Sequence, residues 1–347
     1  MVDGPCALLV WRKVQRITMR HGGDLLEAAE RHGVPRDGWL DLSTGVNPRP
    51  YPVGDLNLLK PSLNRLPSPR ALAELLDVAR EAYDVPPHSS IAAAPGLEIL
   101  IRTLPQVVDG PAALVDTSYR SYRESWIDHG RSLGVADPAT LANQPDSSAI
   151  IVNPNNPDGR ILSAREVLML ARERKNGGIV VVDESYAEAE PNVSVVHHLK
   201  ADDPVLVLKS FGKFFGLPGL RLGFAIGSEA LIRRLAARLG DWPVSGPAIA
   251  IAGTALADQA WQIETRHWLG NQAQSLDSVL RAARMDGAGG CRLFRIGRAT
   301  DAEAVHGRLA RQGVWTRIFE DRPGLIRFGL PPDAQGLARL AGALAAA

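Results

Sequence analysis

Residues 67–227 alternate between two patterns that no single local structure can satisfy. AALV, SAIIVN, GIVVVD, PVLVLK and RLGFAI are short apolar runs rich in β-branched residues, the composition of strands buried on both faces of a mainly parallel sheet. Helical repeats stand among them: PSPRALAELLDVAREAY, with proline near its start and apolar residues three and four apart, then GLEILIRTL and EVLMLARERK. The last of these opens on Ser163-Ala164-Arg165-Glu166, a capping box, and is followed by the stop Asn176-Gly177-Gly178. SAIIVN, this helix and GIVVVD form a βαβ unit. Such alternation predicts an α/β doubly wound sheet whose ligands sit outside the carboxyl ends of the strands.

From residue 228 the pattern changes. The helical stretches EALIRRLAARLG, AIAIAGTALADQAWQIETRHWL and SLDSVLRAARM lead to strand CRLFRIG, helix AEAVHGRLARQG, strands VWTRIF and LIRFGL, and a last Ala/Leu-rich helix. This predicts a smaller α+β domain. The first 50 residues, with HGG and LDLSTGVNPRP, are irregular and are expected to pack near it. The resulting division is 51–235 for a large domain and 1–50 with 236–347 for the small one.

The totals narrow the partners. Of 347 residues 45% are hydrophobic, enough for a core, and 39 basic against 38 acidic side chains leave a net charge of +1. No global field then favours nucleic acid or an anionic membrane. Cys6 and Cys291 lie far apart and outside any Cys/His cluster, which argues against a disulfide framework or a metal site. No secretory leader and no membrane-spanning run is visible, so the expectation is a cytoplasmic protein.

Four strand exits carry residues with chemical potential. SAIIV runs into Asn153-Pro154-Asn155-Asn156-Pro157-Asp158-Gly159, which alone reads as a tight turn. GIVVV ends in Asp183-Glu184-Ser185-Tyr186, and a carboxylate at the end of a buried strand needs a partner. PVLVLK leads to Ser210-Phe211-Gly212-Lys213-Phe214-Phe215-Gly216, a lysine among apolar residues and glycines. Finally, Ala94-Pro95-Gly96-Leu97 opens a helix whose free N–H groups could cradle a phosphate.

Together these types outline a pyridoxal phosphate site. A desolvated lysine has a lowered pKa and becomes nucleophilic toward an aldehyde. An aspartate facing the pyridine nitrogen would keep it protonated, making the ring an electron sink. Asn156 and Tyr186 could donate to the ring oxygen, with Ser210, Arg221 and the amides of Gly96 and Leu97 on the phosphate.

The ordered set N-P-x-N-P-x-G, D-E-x-Y and S-x-x-K-x-x-G-x-x-G-x-R-x-G resembles the fold type I pyridoxal-phosphate enzymes of the class I/II aminotransferase branch. The resemblance runs from about residue 20 onward. It implies a large domain with a mainly parallel, seven-stranded-type sheet between helices, a small α+β domain and a homodimer. It also implies that Lys213 is bonded to the cofactor, Asp183 pairs with the pyridinium and Tyr119 stacks on the ring, these three being the catalytic set. Arg327, in LIRFGL, would bind the substrate carboxylate and Arg317, in VWTRIF, a substrate phosphate.

Within this family, His21-Gly22-Gly23-Asp24 and Leu40-Asp41-Leu42-Ser43-Thr44-Gly45-Val46-Asn47-Pro48 resemble segments of the threonine-phosphate decarboxylases of the cobalamin pathway. That likeness adds His21, Gly22, Asn47 and Asn156 to the substrate-binding set and a small phosphorylated amino acid as the partner. Arg49 or Arg322 could assist Arg317. An aminotransferase acting on a phosphorylated amine, such as histidinol phosphate, is the alternative. Three positions depart from the family pattern: Gly212 where a hydroxyl residue usually precedes the lysine, Leu66 in place of a tyrosine, and Pro95. They leave Ser210, Arg221 and the amides to hold the phosphate.

Overall fold

The computed structural model describes residues 21–115, 118–285 and 289–346. After the helix Leu25–His32 comes a two-residue strand, β1 (Leu40–Asp41). The large sheet then accumulates as β2 (Ser90–Ala94), β3 (Ala112–Val115), β4 (Gly134–Ala136), β5 (Ser148–Val152), β6 (Val180–Asp183), β7 (Val205–Ser210) and β8 (Gly223–Gly227). Its spatial order is β2-β8-β7-β6-β5-β3-β4. Pairings among β3 to β7 are parallel, whereas β8 is antiparallel to both of its neighbours, β7 and β2. All strands but β8 therefore run the same way, and their carboxyl ends share one edge.

Predominantly apolar runs became the central strands: every residue of β3, β5 and β6 is buried. The capping box forms between them as read, with Ser163 N donating to Glu166 Oε2 (2.7 Å) and Glu166 N to Ser163 Oγ (3.3 Å). It starts the helix Ala164–Arg172, whose apolar face packs on the sheet.

The remaining strands are β9 (Gly290–Cys291), β10 (Phe294–Arg298), β11 (Val314–Trp315), β12 (Arg317–Phe319) and β13 (Arg322–Gly329). Four of them form an antiparallel sheet in the order β12-β13-β10-β9, and β11 pairs in parallel with β1. Cys291 is buried and unpaired, while Cys6 lies outside the described residues. No helix among the described residues is long and apolar enough to cross a membrane.

Candidate active site

The shared edge of the large sheet collects the residues singled out from sequence. Asp183 is the last residue of β6, Ser210 the last of β7, Asn156 follows β5, Tyr119 follows β3 and Gly96 follows β2. Arg221 enters from the start of β8, whose Gly223 lies opposite both Ala94 and Ser210. Lys213 sits on a single helical turn, Phe211–Phe214, directly after β7.

Asp183 is buried and fully engaged. Its Oδ1 accepts from Ser185 N (2.9 Å) and Ser185 Oγ (2.5 Å), and its Oδ2 from the hydroxyl of Tyr122 (2.8 Å). Burial pushes its pKa up, against the pull of these donors and of the Lys213 ammonium. Lys213 answers in the other direction. Desolvation, the Arg327 guanidinium and, more weakly, Arg221 bring its pKa from 10.5 down to about 8, although Asp183 opposes them. Its Nζ lies 5.9 Å from the centre of the Tyr186 ring, and burial raises the pKa of that phenol well above the ordinary value.

Gly96 has φ +90°, and a Cβ there would stand 2.7 Å from Arg221 Nη2, so the glycine lets that guanidinium approach the backbone. Its own N–H donates to Ala94 O (2.7 Å), which leaves Leu97 as the amide of the pair still to be assigned. At Gly212 a side chain would meet Pro218 Cα at 2.7 Å. The missing hydroxyl before the lysine thus has a packing cause.

Two arginines close the site from the small sheet. Arg317 and Arg327 stand directly opposite each other across β12 and β13, so they share a face. They are 8% and 7% exposed. Arg327 Nη1 donates to Asn156 Oδ1 (2.8 Å) and Nη2 to Ser43 O (2.7 Å), while Nε is buried with no acceptor. Desolvation, with Arg327 and Arg120 adding repulsion, lowers the Arg317 pKa to about 10.

Some expected residues stand elsewhere or do something else. Arg49 stacks on Trp268 at 4.2 Å and donates to Pro332 O (3.3 Å), and Arg322 pairs with Asp321 (3.7 Å); after Arg327, Arg120 is the basic residue felt by Arg317. The Asn47 side chain donates to Phe214 O (2.9 Å) and accepts from Arg49 N (2.9 Å), which ties it to the lysine-bearing turn. His21 approaches the site, its ring centroid 6.4 Å from that of Tyr119. Tyr122, Ser185, Arg120 and Ser43 were not assigned from sequence. Tyr122 lies on the helix Ser121–Asp128, just after Tyr119. No group of His, Cys, Asp and Glu able to hold a metal occurs among the described residues.

Residues 136–344 match the family model for aminotransferase class I and II. The chain is 35% identical over 333 residues to a threonine-phosphate decarboxylase of Sinorhizobium sp., covering 94% of this chain and 97% of that one. It is 36% identical to a threonine-phosphate decarboxylase of Pseudomonas aeruginosa, with the same coverage of each chain. Among solved structures, histidinol-phosphate aminotransferase from Sinorhizobium meliloti in complex with pyridoxal-5'-phosphate superimposes with a TM-score of 0.81 at 20% identity, covering 92% of both chains. A fold type I architecture, the family model over residues 136–344 and relatives of this identity over nearly the whole length place the chain in the class I and II aminotransferase family.

Proposed function

We propose that the protein is a pyridoxal-phosphate-dependent decarboxylase of L-threonine O-3-phosphate, yielding 1-amino-2-propanol O-phosphate, the step that the named relatives carry and that the likeness to the cobalamin pathway implies. The observation that carries the substrate class is the pair Arg317 and Arg327. Two buried guanidinium groups facing the same way repel each other and lose hydration. A ligand with a carboxylate and a phosphate offsets both costs, and the buried unpartnered Arg327 Nε is a donor waiting for an anionic oxygen.

The residues present fit pyridoxal phosphate. A buried carboxylate with three donors, a lysine whose amine is half neutral near pH 8, and a glycine cradle beside Arg221 are what its ring nitrogen, aldehyde and phosphate need. Lys213, Asp183, Tyr119, Asn156, Tyr186, Ser210 and Arg221 would hold it. Bound there, the cofactor supplies an electron sink for the pair left on Cα when a bond to that carbon breaks.

The protein's own contribution is orientation and proton control. Which bond to Cα would break depends on how these residues orient the substrate. With a phosphate fixed by Arg317, the substrate would be oriented to present its carboxylate for loss as CO2. Asp183 would hold a proton at the ring nitrogen, and the Lys213 amine, or a water beside it, would return one to Cα.

The same reading takes residues 51–235 as a cofactor-binding domain, makes the protein cytoplasmic, and gives it a homodimeric assembly. A cleft of about 500 Å³ supports the last point. It is lined by Leu66, Leu75, Val78 and Ile249, lies apart from Lys213, and leaves Leu66 69% exposed. Light scattering at micromolar concentration tests it.

The decisive assay supplies L-threonine O-3-phosphate with no keto acid. Release of CO2 is expected; turnover that requires 2-oxoglutarate and forms glutamate would make the protein an aminotransferase instead.

A further inference from the structure

We propose that Ser43 is a positioning residue that makes the docking of residues 21–24 and the orientation of Arg327 a single event, an inference that rests on the substrate role proposed for Arg327. Ser43 is fully buried, and each of its polar atoms is committed. Its N–H donates to Asp41 Oδ1 (2.8 Å) and its hydroxyl to the same oxygen (2.6 Å). The hydroxyl's one proton is thereby used, so its lone pairs face outward, and Oγ accepts from Gly23 N (2.7 Å). The Ser43 carbonyl accepts from Arg327 Nη2 (2.7 Å). One residue thus touches the N-terminal segment on one side and the buried arginine on the other.

Gly22 tightens the link. A Cβ on Gly22 would collide with the carbonyl oxygen of Ser43, the atom that Arg327 uses. The chain beside Ser43 is anchored, since Leu42 N donates to Trp315 O and Gly329 N to Leu42 O, both at 2.7 Å. Downstream, the Asp24 side chain accepts from Glu27 N (3.0 Å) and starts the helix Leu25–His32, while upstream His21 reaches toward Tyr119. An anion held by Arg327 therefore favours the Ser43 peptide in the orientation that also docks Gly22 and Gly23, and keeps His21 at the site. Release of the segment has the opposite effect on Arg327. This coupling is reciprocal by linkage.

The experiment uses the cofactor-loaded protein and reads two quantities: amide exchange over residues 22–29 without substrate, and the affinity for L-threonine O-3-phosphate. Ser43→Ala is expected to speed exchange at Gly23 about tenfold, the loss of one hydrogen bond. Arg327→Gln, which touches nothing in the segment, is expected to speed it several-fold through the Ser43 carbonyl. Gly22→Ala is expected to weaken L-threonine O-3-phosphate about ten- to a hundredfold, the range for a hydrogen bond to a charged group. Gly33→Ala is the control: it strains the positive φ of 77° at the end of the same helix with nothing within 4 Å, and substrate affinity should change less than about threefold. Unchanged exchange in Arg327→Gln, or equal loss of affinity in Gly33→Ala and Gly22→Ala, overturns the coupling. If the unmodified protein has no affinity for L-threonine O-3-phosphate, the proposed substrate falls, and the exchange of Arg327→Gln alone decides the role of Ser43.

Discussion

Lys213 carries a cost that its chemistry requires. Its pKa of about 8 against 10.5 means that the folded chain disfavours the ammonium. Below pH 8 folded and unfolded chains both hold the proton, and the folded state bears the whole desolvation cost. From pH 8 to 10.5 the unfolded chain binds a proton that the folded one lacks, so this residue's effect becomes less destabilising as pH rises and vanishes above 10.5. Cofactor-free Lys213→Met should accordingly be more stable than the parent at pH 7, by an amount on the order of 3 kcal/mol at most, and urea titrations should show the gap shrinking toward pH 10. Tyr122→Phe tests the other half of the site. It strips Asp183 Oδ2 of its donor, and titration of the cofactor-free protein with pyridoxal phosphate should show roughly tenfold weaker binding. The lysine was legible in sequence because a cation among apolar residues and glycines is chemically odd. Tyr122 was not: a buried aromatic on a helix reads as core, and only the fold brings it to a carboxylate 61 residues away.

At the scale of the element, the two-residue period of a strand explains why neighbouring charges have separate fates. Asp183 ends β6 facing the site. The next residue, Glu184, turns to the opposite side, where it accepts from Lys209 Nζ (2.6 Å), Ser194 Oγ (2.6 Å) and Val195 N (2.7 Å). Lys209 and Ser210 divide in the same manner at the end of β7. Lys209→Met leaves two buried carboxylates, Glu184 and Glu188, without their cation and should destabilise the fold by about 3–5 kcal/mol in a denaturant titration, while the double variant with Glu184→Gln recovers only part of the loss because Glu188 stays unpaired. Strands of branched apolar residues were visible in the sequence, whereas β2, Ser-Ile-Ala-Ala-Ala, was marked only by its exit at Ala94, since alanine carries no strand signal. The stretch from Ala248 to Leu269 reads as one helix; the structure ends one helix at Ala257 and starts another at Gln259, because Asp258 leaves helical geometry and caps Trp261 N (3.0 Å).

The whole molecule is held around the site by a segment that looked irregular. Residues 40–51 run from the two-stranded sheet to the lysine turn. At one end β1 pairs with β11; at the other, Asn47 N donates to Lys213 O (2.9 Å) and Tyr51 N to Phe215 O (2.9 Å). The motif was recognisable, but its partners are over 160 residues away in the chain, beyond any local pattern. Asn47 was expected at the substrate, and its side chain instead satisfies the carbonyl of Phe214 and the N–H of Arg49. Asn47→Ala removes both contacts, one buried and one part-buried, and should lower the stability of the protein by roughly 2–6 kcal/mol, each abandoned group counting for about 1–3. Because the loss falls on the turn that carries Lys213, cofactor retention should fall with it. A purely local role at the substrate would instead leave the melting temperature unchanged and raise KM alone, so calorimetry and a cofactor titration on the one variant separate the two.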